Sequence, residues 1–320
     1  MHYKMFKKLI KILLLSLLVA VSVDIQAQQE PQFTQNMFNY MFVNPGYAGM
    51  RDGICASGIV RQQWVGLNND MEGNSIAPET FVMSVDAPID ILHGGVGLSI
   101  QRDKLAYSSN VGVKLGYSYH ATLGMGDLGI GAQFGFVNKT IDFGRFNPTD
   151  SSDPVIEGRT GEEQDMMFDL AFGLFYDVPD QYYLGLSSTR LMQNSGANTR
   201  FNLKRHYFLV GGYHYQITPV YELTPSFMVK YDGAVAQFDI GGIVEYEKKY
   251  WGGVNYRVQD AVSVMIGLYL KDLKFGYAYD ITTSRLSGAG SGGSHELMLS
   301  YCFKIEVEKN NNSYRNIRFL

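Results

Sequence analysis

From Ile54 onward, apolar residues alternate with small or polar ones in segments of about ten residues, with turn residues between the segments. A period of two gives a strand two unlike faces, because successive side chains point to opposite sides. Over residues 273–281, Leu273, Phe275, Tyr277, Tyr279 and Ile281 share one face, and Lys274, Gly276, Ala278 and Asp280 share the other. Val111, Val113, Leu115, Tyr117 and Tyr119 likewise oppose Gly112, Lys114, Gly116, Ser118 and His120. Phe238, Ile240, Val244 and Tyr246 oppose Gln237, Asp239 and Glu245. The pattern predicts fourteen strands, at 54–64, 78–86, 94–103, 107–120, 126–142, 165–176, 181–190, 203–217, 221–232, 236–246, 249–258, 261–271, 273–282 and 294–307. Many exceed the roughly five or six residues of a soluble strand and match the roughly 9–11 of a tilted strand that crosses a bilayer.

The connections sort in a way that fits such a barrel. If the first strand runs outward, the long connections 65–77, 143–164, 191–202 and 283–293 all fall on the outer side. The inner side receives the short turns at Thr218-Pro219-Val220, at 177–180 and at Asp272. Long outer loops, short periplasmic turns and an even strand number characterise transmembrane barrels with both chain ends in the periplasm. Hydrocarbon leaves no partner for a free N–H or C=O, so an all-β chain crosses it as a closed barrel. The apolar face then meets outer-membrane lipid. The other face carries Arg61, Lys114, Asp169, Lys230, Asp239, Glu245, Lys274, Asp280, Glu296 and Lys304. Both signs are mixed there, which reads as a hydrogen-bonded, partly filled lumen rather than an ion-selective pore.

The chain ahead of the strands has two parts. Lys4, Lys7, Lys8 and Lys11 precede an apolar run over 12–23, and Ala27 offers a small residue before a polar stretch. This is a secretory signal, and the apolar run is shorter than the ~20 residues of a spanning helix. The formal net charge is −4. Residues 1–27 hold those four lysines and Asp24, a net +3, so the mature chain carries about −7, and no basic patch points to nucleic acid. Residues 28–53 form a second part. Thr34 is placed to cap a short helix that Asn44-Pro45 ends, with Met37, Phe38, Met41 and Phe42 recurring at helical spacing. With Phe33, such a segment needs a surface to pack on, as a plug in the lumen or at its periplasmic rim.

Here the chain resembles a known family, the PorP/SprF outer-membrane proteins of type IX secretion and gliding motility in Bacteroidetes. The resemblance is carried by residues 31–35 (PQFTQ), 43–49 (VNPGYAG), 61–64 (RQQW), 78–80 (PET) and 84–88 (SVDAP), and it extends as a pattern over nearly all of the mature chain. Glu30, Gln32 and Gly46 depart from the family's usual Asp, His and Ala. The resemblance implies a barrel that works with secretion and motility machinery and helps to export, or hold at the surface, a partner adhesin. It also implies contacts with periplasmic or lipoprotein components.

Few residues offer other chemistry. The tail 308–320 reads as a linker and then an apolar, cationic end on the periplasmic side, where Arg315, Arg318, Phe319 and Leu320 are candidates for docking on a partner; the alternative is a frayed terminus. Cys55 and Cys302 are the only cysteines and share the inward parity of the first and last strands. They are read as two separate lumenal thiols, with a disulfide across the closing seam as the alternative, since cross-strand geometry must also fit. His2, His93, His120, His206, His214 and His295 are scattered, and a lumenal hydrogen-bonding role suits them better than a metal site. The glycine-rich stretch 124–129 lies at a strand turn, so it is no nucleotide loop. The acidic stretch 157–165 falls in an outer loop, as a solvated loop or else a weak calcium or partner contact. No catalytic constellation, cofactor site or metal site is expected. A lipid hydrolase would need a Ser/His pair on the lipid-facing rim, whereas Ser118 and His120 face inward. The remaining alternative is a passive diffusion channel with an N-terminal plug, resembling fatty-acid transporters.

Overall fold

A computed structural model describes residues 30–67, 76–146, 158–199, 201–284 and 292–303. The strands are β1 (Ile54–Gln62), β2 (Glu79–Ile89), β3 (Gly94–Leu105), β4 (Ser108–Leu123), β5 (Gly126–Asp142), β6 (Glu162–Val178), β7 (Tyr182–Thr189) and β8 (His206–Tyr213). They continue with β9 (Tyr215–Thr218), β10 (Tyr221–Tyr231), β11 (Ala236–Tyr246), β12 (Tyr250–Arg257), β13 (Ala261–Leu270), β14 (Leu273–Thr282) and β15 (Ser294–Phe303). Chain neighbours pair antiparallel, except that β8 pairs with β10 rather than with β9, and β15 pairs with β1, so the sheet closes on itself. The result is a 14-strand antiparallel barrel in which β9 is a short extra piece. Among the described residues no helix is long and apolar enough to cross a membrane; the barrel crosses with its strands.

The alternation in the sequence becomes an inside and an outside. Ile240, Val254 and Ile266 are 59%, 60% and 60% exposed on the outer face, where they meet hydrocarbon. Arg257, Asp280 and Glu296, on the inner face, are at most 1% exposed. The connections between β1 and β2, β5 and β6, β7 and β8, and β14 and β15 are the long ones, and all leave the same end of the barrel. At the opposite end the connections are tight. Between β11 and β12, Glu247 and Lys248 take φ of 51° and 50°, and Lys249 N–H donates to the Tyr246 carbonyl at 2.9 Å. Two left-handed residues in succession give a turn whose twist matches that of the flanking strands.

The strand expected over 203–217 is interrupted. β8 ends at Tyr213, His214 leaves the ladder, and β9 resumes pairing with β10. The pairing lapses opposite Thr224 and Pro225, and Pro225 brings no N–H to a ladder. The last predicted strand is described to Phe303; residues 304–307, with Lys304, and the tail 308–320 lie outside the described residues.

The N-terminal segment fills the lumen, and it does so without the single helix expected between Thr34 and Asn44. Three short 3-10 turns form instead, at Asn36–Phe38, Tyr40–Phe42 and Pro45–Tyr47. The physical reason lies at Thr34. Its hydroxyl donates to Asp280 at 2.7 Å and accepts from the Arg61 guanidinium at 3.1 Å, and its N–H donates to Glu296 at 2.9 Å, so the wall takes the oxygen that would cap a helix. The segment runs the length of the barrel against the direction of β1. Glu30 sits by Thr189 and Lys230, where β7 and β10 reach the long-connection end. Gly49 sits by Asp86, near the end of β2 and the short turns. The described chain therefore starts at the long-connection end and reaches Phe303 at the short-turn end.

Cys55 and Cys302 are direct cross-strand partners on β1 and β15, with Cα atoms 4.0 Å apart, and they form a disulfide. This differs from the reading of two separate thiols: the seam register brings the pair into line, which parity alone leaves undetermined. Protein extracted from outer membranes and denatured without reductant is expected to bind no thiol-alkylating reagent in an intact-mass measurement. Incorporation of two alkyl groups per chain would show the seam to be unbridged.

Candidate functional site

The site that the strands assemble is the plugged lumen. Toward the long-connection end, the Arg61 guanidinium lies 2.6 Å from Asp280 and 3.0 Å from Glu296, and also donates to the Thr34 hydroxyl at 3.1 Å. Glu296 accepts from the backbone N–H of Thr34 and, at 2.7 Å, from that of Gln35. Arg257 bridges Asp239 at 3.2 Å, Asp260 at 3.4 Å and Asp280 at 3.7 Å. Both arginines are nearly inaccessible to solvent. A charge so buried is tolerated only when paired and hydrogen-bonded, and loss of one partner from such a group costs about 3–5 kcal/mol.

Glu30 ties the start of the segment into the same end. Its carboxylate is 3.1 Å from Arg190 and accepts from the Thr189 hydroxyl at 2.9 Å, and the Lys230 ammonium donates to its backbone carbonyl at 2.6 Å. Burial by itself raises the pKa of this carboxyl, but Arg190, then Lys114, His206 and Lys230, hold it down to about 2.

In the middle of the barrel the contacts turn apolar. Phe33, Phe42 and Val43 pack with Ile59, Val82, Trp251, Met265 and Met298 of the wall, and Met37 and Phe38 close over this cluster. Tyr40 packs instead on Phe175 and Tyr183, and its hydroxyl donates to that of Tyr183 at 2.7 Å. Met41 is 1% exposed. Lys114 pairs with Asp169 at 3.0 Å and faces the Phe42 ring at 5.8 Å.

At the short-turn end the fit depends on glycine. A Cβ on Gly131 would lie 2.2 Å from the carbonyl carbon of Pro45, and one on Gly173 2.1 Å from Oδ1 of Asn44. A Cβ on Gly46 is equally confined, 2.8 Å from the Gly129 carbonyl oxygen, so a methyl group there would need the wall to shift. Backbone meets backbone here, and the wall supplies polar partners. Asn44 donates to the Leu174 carbonyl at 2.9 Å and caps Gly46 N–H at 2.9 Å. Ser187 donates to Val43 at 2.7 Å, Ser118 donates to Gly46 at 2.9 Å, and the His120 ring lies 2.9 Å from the carbonyl of Ala48.

The structure thus brings Phe33, Met37, Phe38, Met41, Phe42, Asn44 and Pro45 together in the lumen. Arg315, Arg318, Phe319 and Leu320 lie outside the described residues. Sequence reasoning missed the glycine cradle, whose signal was Gly129 and Gly131 at one parity in β5, with the lone Gly173 of β6. It also missed the buried Glu30 pairs. Beneath the plug, at the short-turn end, remains a bowl of about 180 Å³ whose lining includes Tyr40, Phe175, Asp177, Tyr183, Glu245 and Lys274. Among the described residues no group of three His, Cys, Asp or Glu side chains is arranged to hold a metal ion.

Comparison with known proteins adds the following. The family described as type IX secretion system membrane protein PorP/SprF matches residues 25–301. No curated protein matches the chain. Among solved structures, the toluene transporter TbuX of Ralstonia pickettii superposes with a TM-score of 0.50 at 13% identity, over 83% of this chain and 93% of that one. A FadL homologue of Pseudomonas aeruginosa gives 0.45 at 12%, over 86% and 95%. The outer-membrane protein Omp33 of Acinetobacter baumannii gives 0.45 at 9%, over 80% and 100%. At these identities the likeness to TbuX speaks for the outer-membrane barrel fold alone.

Two outcomes are expected of the plug. Replacing Gly131 with Leu should displace residues 44–47 and open this segment to added protease, while Ile130→Leu on the outward face should leave it protected; equal protection in both variants would refute the cradle. For Glu30 the sign follows from a folded pKa below the ordinary 4.5. Its stabilisation is complete above that value and is lost as the pH falls toward 2. Backbone exchange at residues 30–35 should therefore rise on acidification in the wild type and be already raised, and less sensitive to pH, in Glu30→Gln. Identical profiles for the two proteins would contradict this.

Proposed function

The chain belongs to the PorP/SprF family of type IX secretion system membrane proteins, and from that premise we propose that it is a closed outer-membrane barrel that helps to export or anchor a partner surface protein. The observation that supports this reading is the lumen. A plug held by buried ion pairs at one end and by backbone packing at the other leaves little room for solute flow. Such a barrel serves as a fixed platform with two faces rather than as a conduit. In this reading the long connections face the medium and meet the partner protein, and the short turns face the periplasm.

The domain division follows the same reading: 1–27 is a cleaved signal, 28–53 the plug, 54–307 the barrel and 308–320 a periplasmic tail. Arg315, Arg318, Phe319 and Leu320 of that tail are our candidates for docking on a component of the secretion or motility machinery. The diffusion-channel reading remains the alternative, and the occupied lumen weighs against it. No enzymatic role is assigned.

The test is affinity isolation from outer membranes solubilised in mild detergent, with a tag in the connection between β14 and β15. Machinery components and a large surface protein should co-purify with the full chain, and deletion of 308–320 should remove the machinery components alone. A barrel recovered without companions, from membranes in which other secretion complexes stay intact, would contradict the proposal.

A further inference from the structure

The wall is broken at one level, between β8–β9 and β10. On β10, Tyr221, Glu222 and Leu223 pair with β9, and residues from Ser226 onward pair with β8, whereas Thr224 and Pro225 pair with neither. His214 stands opposite, and its ring spans the gap: Nδ1 is 3.0 Å from Glu222 and 3.1 Å from the Thr224 hydroxyl. The wall beside the break is bare of side chains, with Gly211 and Gly212 on β8 and Gly241 and Gly242 on β11. A Cβ on Gly211 would lie 2.7 Å from the outward Phe227 ring, and one on Gly212 2.3 Å from the inward Tyr183 hydroxyl. One thickness of backbone therefore separates a ring on the lipid face from a ring in the lumen.

Two cavities meet at this place. Outside, an apolar groove of about 600 Å³ lies among Tyr182, Leu184, Tyr213, Phe227 and Ile240. Inside lies the bowl of about 180 Å³ beneath the plug. Tyr183 and Ser226 line both. We propose that the break is a lateral portal through which an acyl chain of an outer-membrane phospholipid passes from the groove into the bowl.

The occupant follows from where the groove opens. Its outer residues belong to the face that meets the bilayer, so acyl chains are its surrounding solvent. Within, Phe38, Tyr40, Phe175 and Ile243 give such a chain apolar surface. Tyr183 is the gate: its ring covers Gly212, and its hydroxyl is bonded to Tyr40 of the plug. A chain that displaces Tyr183 breaks that bond, which links the portal to the plug.

The test uses the full mature barrel in nanodiscs whose phospholipid carries a diazirine near the end of one acyl chain. After irradiation, adducts are mapped by mass spectrometry. The portal predicts adducts on Met37, Tyr40 and Tyr183 as well as on the lipid face. Adducts confined to outward-facing residues would overturn it. Ser226→Trp, which fills the passage, should reduce the inward adducts at least tenfold while those on Val254 and Ile266 stay unchanged. Inward adducts undiminished in Ser226→Trp would mean that the chain arrives by another route, which also overturns the portal. Should Ser226→Trp not fold, as judged by heat modifiability on gels, Ser226→Leu carries the same expectation.

Discussion

Charge buried in the lumen sets how the wall and the N-terminal segment fit together. Arg61 and Arg257 are buried on the inner wall among Asp239, Asp280 and Glu296, and the acids outnumber the bases in that group. The excess acceptors are satisfied by the plug: the Thr34 hydroxyl and the N–H groups of Thr34 and Gln35 donate to Asp280 and Glu296. A barrel this size without its plug would leave those carboxylates facing an empty or wet interior. The wall and the N-terminal segment are thus one polar network, and the segment's path is fixed by hydrogen bonds before its apolar side chains are counted.

The two ends of the plug are held by different physics. At the long-connection end the interaction is electrostatic, with Glu30 set among Arg190, Thr189 and Lys230. At the short-turn end it is steric, because the Pro45-Gly46 backbone lies against Gly129, Gly131 and Gly173 at distances that admit no side chain. Glycine weakens strand pairing, so Gly129 and Gly131 in β5 and Gly173 in β6 carry a cost that the close approach of the plug accounts for. Charge at one end can be loosened by pH, whereas the glycine contact cannot.

Most of the barrel was legible in the sequence, because a wall with lipid on one side and protein on the other must alternate. The segments at 126–142, 236–246 and 273–282 match β5, β11 and β14 residue for residue. The break at His214 was not legible. Alternation runs on through Tyr213 and Tyr215, and only Pro225 on the neighbouring strand hints that the ladder lapses there. The plug was legible as a segment in need of a surface, but its conformation was not. Met37, Phe38, Met41 and Phe42 have helical spacing, yet contacts with residues some 240 to 260 positions away decide what Thr34 and Gln35 do. The disulfide had the same difficulty, since parity allows the pair and only the closing register of β1 on β15 makes it.

Conductance tests whether the plug closes the lumen. Single barrels of the mature chain in planar bilayers, at neutral pH and moderate salt, should show no steady ion current. Removal of residues 28–50 should produce one. A stable conductance in the intact chain, unchanged by that removal, would contradict the account.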